Sequence, residues 1–257
     1  GRLLIPSKKV SNIGEYINPM PFEPKFDYSY DGIMRSFEDS IQRLGLPKID
    51  ILYIHDLDKI THGDDFNHHF RKAMDSGYKA LDELRSNGQI QAFGLGVNDY
   101  RVCEKAMEHG DFNCFLLAGR YTLLEQDALI TFLPKCENRN ISVIVGGPYN
   151  SGILATGVKD SNKTVHYNYD KAPASIIDKV AKIEKVCDEF SIPLAAAALQ
   201  FPLAHPSIVS VIPGLNSISQ VEDTINNYQI NIPNEFWHNL KTAELIKENA
   251  PIPNKGN

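Results

Sequence analysis

The chain has few of the features that would assign it quickly, and each absence narrows the field. No apolar run approaches the ~20 residues that a bilayer-spanning helix needs. The start, GRLLIPSKKV, has too short an apolar part for a secretory signal. Positive charge is not in excess: 26 Lys and Arg stand against 32 Asp and Glu, for a net charge of −6. That balance argues against a nucleic-acid surface or a polybasic membrane patch. The cysteines Cys103, Cys114, Cys136 and Cys187 are widely spaced and form no CxxC pair. They read as reduced structural thiols in a reducing, cytoplasmic compartment. No GxxxxGK[ST] loop occurs, no GxGxxG opens a helix, and no GxSxG offers a nucleophile. The near miss GLGVN at Gly94 lacks the third glycine. His62, His68 and His69 cluster near Asp64 and Asp65 without zinc-like spacing, so they read as a solvated surface rather than a metal site. No repeat, low-complexity tract or linker divides the 257 residues, and one domain over 1–257 is expected.

What is present is an alternation of strands and helices. The run IDILYIHDLD, Ile49 to Asp58, reads as a parallel strand covered on both faces. Further strands are expected from Ile90, Asn113, Ile141 and Ile208. Helices are expected over Tyr30 to Leu44, Phe66 to Ser86, Asp99 to His109, Asp127 to Asn138, Ala174 to Phe190, Pro193 to Phe201, Ser217 to Asn227 and Pro233 to Glu248. Pro134 predicts a kink or a late start in the fourth of these. Residues 1–29, 57–65 and 155–173 read as loops. The pattern argues for a parallel sheet with helices outside it. Five strands suit an open doubly wound sheet or part of an eight-stranded barrel, and periodicity does not choose between them.

Polar and small residues gather at the strand ends, where α/β barrels keep their chemistry. His55 ends the first strand, on the face shared by Ile51 and Tyr53. Its bland reading is a histidine satisfied by a loop carbonyl. Asn98 follows a strand and could bond a planar amide, although a cap or Asx-turn is the commoner use of Asn. GGPYNSG (Gly146 to Gly152) supplies Gly147, Pro148, Asn150 and Gly152 for close backbone approach to an anion; the alternative is a tight turn. IPGLNSISQ (Ile212 to Gln220) supplies Pro213, Gly214, Asn216, Ser217 and Gln220 where a strand meets a helix N-terminus, a common phosphate site. Its alternative is an ordinary turn with a good cap.

IDILYIHDLD, FGLGVND, LLAGRYTLLEQ, GGPYNSGILATG, PLAAAALQFPLAHP and SVIPGLNSISQVED, in this order, resemble the aldo-keto reductase superfamily. They are most similar to the branch holding D-threo-aldose 1-dehydrogenase (L-fucose or L-galactose dehydrogenase) and pyridoxal 4-dehydrogenase. The resemblance implies a (β/α)8 TIM barrel that binds NAD(P) and transfers hydride, with a catalytic Tyr, Lys, Asp and His. Only the His maps here, onto His55. The family's Lys-x-Gly-Arg pattern would put the Lys two positions before Gly1. The expectation is therefore a barrel truncated before its fourth strand and inactive as it stands. Asn98 is implied as a nicotinamide-amide contact. The family's strand-six Gln aligns with Ala118 and its stacking Tyr with Gly146, both departures. The cations that grip a 2′-phosphate in many relatives align with Gly214 and Gln220, and Asp223 adds negative charge. NAD is expected in preference to NADP. The expected activity is oxidation of an aldose or pyridoxal hemiacetal to a lactone, on a small-molecule substrate, with no nucleic-acid or membrane partner. A reading from another class is a non-catalytic nucleotide-binding barrel like the β-subunits of potassium channels; GGPYNSG and LAGRYTLL count against it.

Overall fold

The computed structural model describes residues 1–7, 18–160 and 163–254. These residues form two compact units. The first comprises 1–97 and 105–113, the second 98–104 and 114–257.

The first unit opens with a correction. Residues 1–29 read as loop, yet strands β1 (Arg2–Pro6) and β2 (Phe22–Phe26) pair antiparallel, with Leu3 opposite Lys25 and Leu4 opposite Pro24. Pro6 and Pro24 hid them. A two-stranded ribbon is all edge, so a proline can sit where no ladder bond is missed. Residues 8–17 of that expected loop lie outside the described residues. Helix α1 (Tyr30–Leu44) follows. Ser29 caps it by accepting from the Gly32 N–H, and Gly45 ends it in the left-handed conformation at φ 62°. Its buried members Ile33 and Phe37 are four apart, as the periodicity requires.

Strand β3 (Ile51–His55) lies parallel to a later strand, Ala92–Val97, with His55 opposite Gly96. Contrary to expectation it is not covered on both faces. Ile54 is 1% exposed but Ile51 is 43% exposed, and His55 is exposed too. An unbroken apolar run reports hydrophobicity, not the number of faces that are covered. The expected loop at 57–65 holds a short helix, α2 (Lys59–His62), capped by the Asp58 carboxylate, and a 3-10 turn. Helices α3 (Phe66–Lys72) and α4 (Tyr78–Ser86) are joined without a break by a π turn at Ala73–Gly77. Together they fill the helix expected over Phe66 to Ser86. Phe70, Met74, Ala80, Leu81 and Leu84 are its buried set. Strand β4 (Ala92–Val97) is buried along almost its whole length.

Helix α5 (Tyr100–Ala106) follows β4 in the chain. In the second unit, β5 (Cys114–Ala118) leads to α6 (Phe132–Asn138), which starts late so that Pro134 falls in its first turn. Strand β6 (Ser142–Gly146) lies parallel to β5 and to a further strand, Ile208–Ile212. The expected loop at 155–173 is partly ordered. It holds the end of α7 (Ile153–Thr156) and a small hairpin of β7 (His166–Tyr167) and β8 (Asp170–Lys171). Helices α8 (Ala174–Glu189) and α9 (Leu194–Gln200) precede β9 (Ile208–Ile212). The buried Gln200 amide donates to the carbonyls of Asn227 and Ile230, at 2.8 and 2.9 Å. Those bonds anchor the far end of α10 (Ile218–Gln229). Helix α11 (Asn234–Thr242) buries Phe236, Trp237 and Leu240. All four cysteines are free and buried.

The π turn makes one position intolerant of side chain. A Cβ on Gly77 would overlap the Tyr28 carbonyl, which is backbone and cannot swing aside. Gly77→Ala should destabilise the protein by about 1–3 kcal/mol in urea unfolding, where a small helical glycine replacement would otherwise stabilise.

Candidate functional site

His55 stands at the C-terminal end of β3 with its side chain 53% exposed. The chain turns sharply after it: Asp56 has φ 56°, a conformation most side chains avoid but Asp tolerates. The Asp56 N–H donates to the Gly96 carbonyl at 3.1 Å. Its carboxylate Oδ2 lies 2.8 Å from His55 Nδ1 and 3.4 Å from Arg2 Nη1. Arg2 Nη2 is also 3.4 Å from His55 Nδ1. Burial alone would raise the Asp56 carboxyl, but the His55 hydrogen bond and the charges of His55, Arg2 and His62 bring it below its ordinary value.

Tyr28 supports this corner from beneath. It is fully buried, and its hydroxyl lies 3.0 Å from the His55 carbonyl, 3.3 Å from that of Asp56 and 2.9 Å from His62 Nε2. One proton cannot serve three acceptors, so the hydroxyl donates to the carbonyls and accepts from His62. Burial, with Asp56 and Asp58 nearby, pushes the Tyr28 phenol well above its ordinary value. His62 lies 4.2 Å from His69 with the rings tilted at 38°, and meets Phe26 edge-on. The histidine cluster that read as solvated surface is thus partly an aromatic nest around Tyr28. Among the described residues no group of three His, Cys, Asp or Glu is placed to hold a metal.

The other predicted positions belong to the second unit. At Asn98 the capping role falls to its neighbour: Asp99 Oδ1 accepts from the Arg101 N–H at 3.0 Å. The Asn98 carbonyl accepts from Arg120 Nε at 2.9 Å, and Arg120 also reaches Asn168 and Glu125. Asn150 is buried and committed inward. Its Nδ2 donates to the Gly119 carbonyl at 3.1 Å, and its Oδ1 accepts from the Thr122 hydroxyl at 2.6 Å. The same hydroxyl accepts from the N–H groups of Leu124 and Glu125. Asn150 therefore fixes the turns after β5 and β6 rather than offering its amide outward. Pro148 is buried beside it. Gly147, at φ 58° with open space around its Cα, presents backbone instead. Gly152, at φ 94°, lines a cavity of about 310 Å³ with Lys163 and His166.

After β9, Gly214 and Asn216 are exposed, and a Cβ on Gly214 would meet nothing. Ser217 caps α10 by accepting from the Gln220 N–H at 3.2 Å, as the motif required. Gln220 Oε1 returns to the Asn216 N–H at 2.8 Å. The result is an open, capped N-terminus of a 12-residue helix. Asp223 is exposed one turn on, and no Lys or Arg lies between Pro213 and Asp223. Open glycine backbone beside an exposed helix N-terminus fits the phosphates of a dinucleotide. A larger cavity of about 740 Å³, lined by Glu125, Lys179 and Lys247 among others, contains none of the predicted positions.

Sequence reading gave no site role to Arg2, Tyr28, Asp56 or Thr122. Asp56 alone left a signal, standing beside His55 in IHDLD. Comparison with known proteins gives this geometry a context. The model of the aldo/keto reductase family matches residues 4–244. Over 248 residues the chain is 42% identical to a pyridoxal 4-dehydrogenase of Microbacterium luteolum, spanning 96% of this chain and 72% of that one. A D-threo-aldose 1-dehydrogenase of a Pseudomonas species is 31% identical over 251 residues, with 96% and 73% covered. The solved holo form of an aldo-keto reductase from Bacillus halodurans superposes with a TM-score of 0.67 at 21% identity, over 90% of this chain and 71% of that one. That likeness agrees with the α/β, barrel-type fold expected from the motifs. The chain belongs to the aldo/keto reductase family.

Proposed function

We propose that the protein is an NAD-dependent dehydrogenase that oxidises the hemiacetal hydroxyl of an aldose or of pyridoxal to a lactone. Membership of the family makes it an oxidoreductase enzyme with a nicotinamide cofactor. The observation that carries the finer reading is the exposed imidazole of His55 at a parallel strand's C-terminal end, braced by a carboxylate at 2.8 Å. His55 hydrogen-bonds the reacting oxygen and orients it. A bound nicotinamide would supply the hydride acceptor, and the Tyr that the family resemblance implies, which does not map onto this sequence, would take the hydroxyl proton. Gly147, Gly152 and Gly214 would offer backbone to the cofactor's phosphates, and the N-terminus of α10 its dipole. Asn98 serves the nicotinamide amide. Pro148 and Asn150 hold one turn in shape, and Pro213, Asn216, Ser217 and Gln220 hold the other.

NAD is favoured because a 2′-phosphate would meet no cation between Pro213 and Asp223, while Asp223 repels it. Both relatives are named for action on pyridoxal or an aldose, and the hemiacetal is what these substrates share. Four free, buried thiols suit a reducing, cytoplasmic setting.

In protein that also supplies the family's catalytic Tyr, Lys and Asp, assays of hydride transfer with each cofactor should show clear preference for NAD; preference for NADP would refute that assignment. In the same background His55→Ala should lower kcat on the order of a hundredfold, and an unchanged rate would remove His55 from the chemistry. Installing the pair Gly214→Lys and Gln220→Arg should strengthen NADPH binding roughly tenfold, the worth of a charge-assisted bond. Titration of both variants and parent with NADPH by fluorescence measures this.

A further inference from the structure

We propose that Asp56 is a positioning residue that holds His55 in the tautomer with its proton on Nδ1, leaving Nε2 to accept a hydrogen bond from the substrate's hydroxyl. The identity of that hydroxyl rests on the functional reading above; the tautomer rests on geometry alone.

Consecutive residues of a strand point to opposite faces, so a His-Asp pair in extended chain keeps its side chains apart. Here the chain leaves the strand at Asp56, whose φ of 56° swings the carboxylate back to the imidazole. Such a conformation costs ~1–3 kcal/mol unless its surroundings enforce it. They do so from both sides. The Asp56 N–H is bound by Gly96, its carbonyl by the Tyr28 hydroxyl, and its carboxylate by Arg2.

Two groups compete for Nδ1. Arg2 Nη2, at 3.4 Å, could donate to a bare nitrogen. The Asp56 carboxylate, at 2.8 Å, needs a proton between them. A lone pair on Nδ1 would face carboxylate lone pairs at that closer distance, so the proton sits on Nδ1. A neutral ring then offers only an acceptor at Nε2. An alcohol can donate to it and a carbonyl cannot. Accepting that bond draws the hydroxyl proton outward and enriches the oxygen in electrons. The site thereby binds an alcohol in preference to a carbonyl.

Long-range proton–nitrogen correlation on ¹⁵N-labelled protein, free of substrate and at about pH 8.5, where imidazoles are ordinarily neutral, reads the tautomer directly. His55→Gln identifies the resonance. Asp56→Gly removes the carboxylate while keeping a residue at ease in the left-handed region. The parent should show Nδ1–H at His55, and Asp56→Gly should shift the ring mainly to Nε2–H. With a hemiacetal substrate, the same variant should lose about tenfold or more in kcat with little change in KM. An Nε2–H ring in the parent, or a tautomer unmoved by Asp56→Gly, overturns the proposal without touching the dehydrogenase reading. Conversely, a tautomer switch in a protein that oxidises no hemiacetal sustains the positioning role and sinks the functional reading.

Discussion

One backbone turn at the end of β3 governs the first unit's chemistry. If Asp56 were extended like the residues before it, its carboxylate would point away from His55. The ring would then meet only Arg2, and the imidazole would lose its fixed orientation. The turn persists because unrelated parts of the unit converge on it: a carbonyl from β4, a guanidinium from β1 and a phenol that precedes α1. The long helical stretch α3 and α4 enters through Gly77, whose lack of a side chain lets the Tyr28 backbone pack against it. A glycine in a π turn thus bears on a histidine it does not touch.

The second unit follows a similar logic with different groups. Its strand ends are joined by the Asn150 and Thr122 hydrogen bonds and by the Arg120–Glu125 ion pair, where the first unit gathers a carboxylate, an imidazole and a guanidinium at one turn. Asn150, Thr122 and Arg120 are spent on neighbouring turns, which leaves the glycines to present open backbone. On the proposed reading, exposed glycine backbone beside fixed polar residues would receive phosphates mainly through backbone N–H groups.

Much of the fold was legible because the chain's local signals agree with its tertiary structure. The strand at Ile208, the helix over Tyr30 to Leu44 and the Ser217 cap all follow from spacing that burial then uses. The β1–β2 ribbon was not legible, since proline at positions 6 and 24 argues against strand wherever neighbours on both sides are assumed. The exposed face of β3 was not legible either, because Ile51 is as apolar as a covered residue. At the site, His55 and the turn motifs stood out by residue type and position. Tyr28 did not, as nothing in FDYSY distinguishes a core tyrosine from one that holds a strand end. Thr122 was hidden for the same reason: its importance lies in three partners, two of them backbone.

That threonine has a consequence for motion. Its hydroxyl gives its proton to Asn150 and takes two N–H groups from the turn after β5, which uses its bonding capacity in full. The segments after β5 and β6 are therefore joined through one hydroxyl, so moving either alters a hydrogen bond of the other.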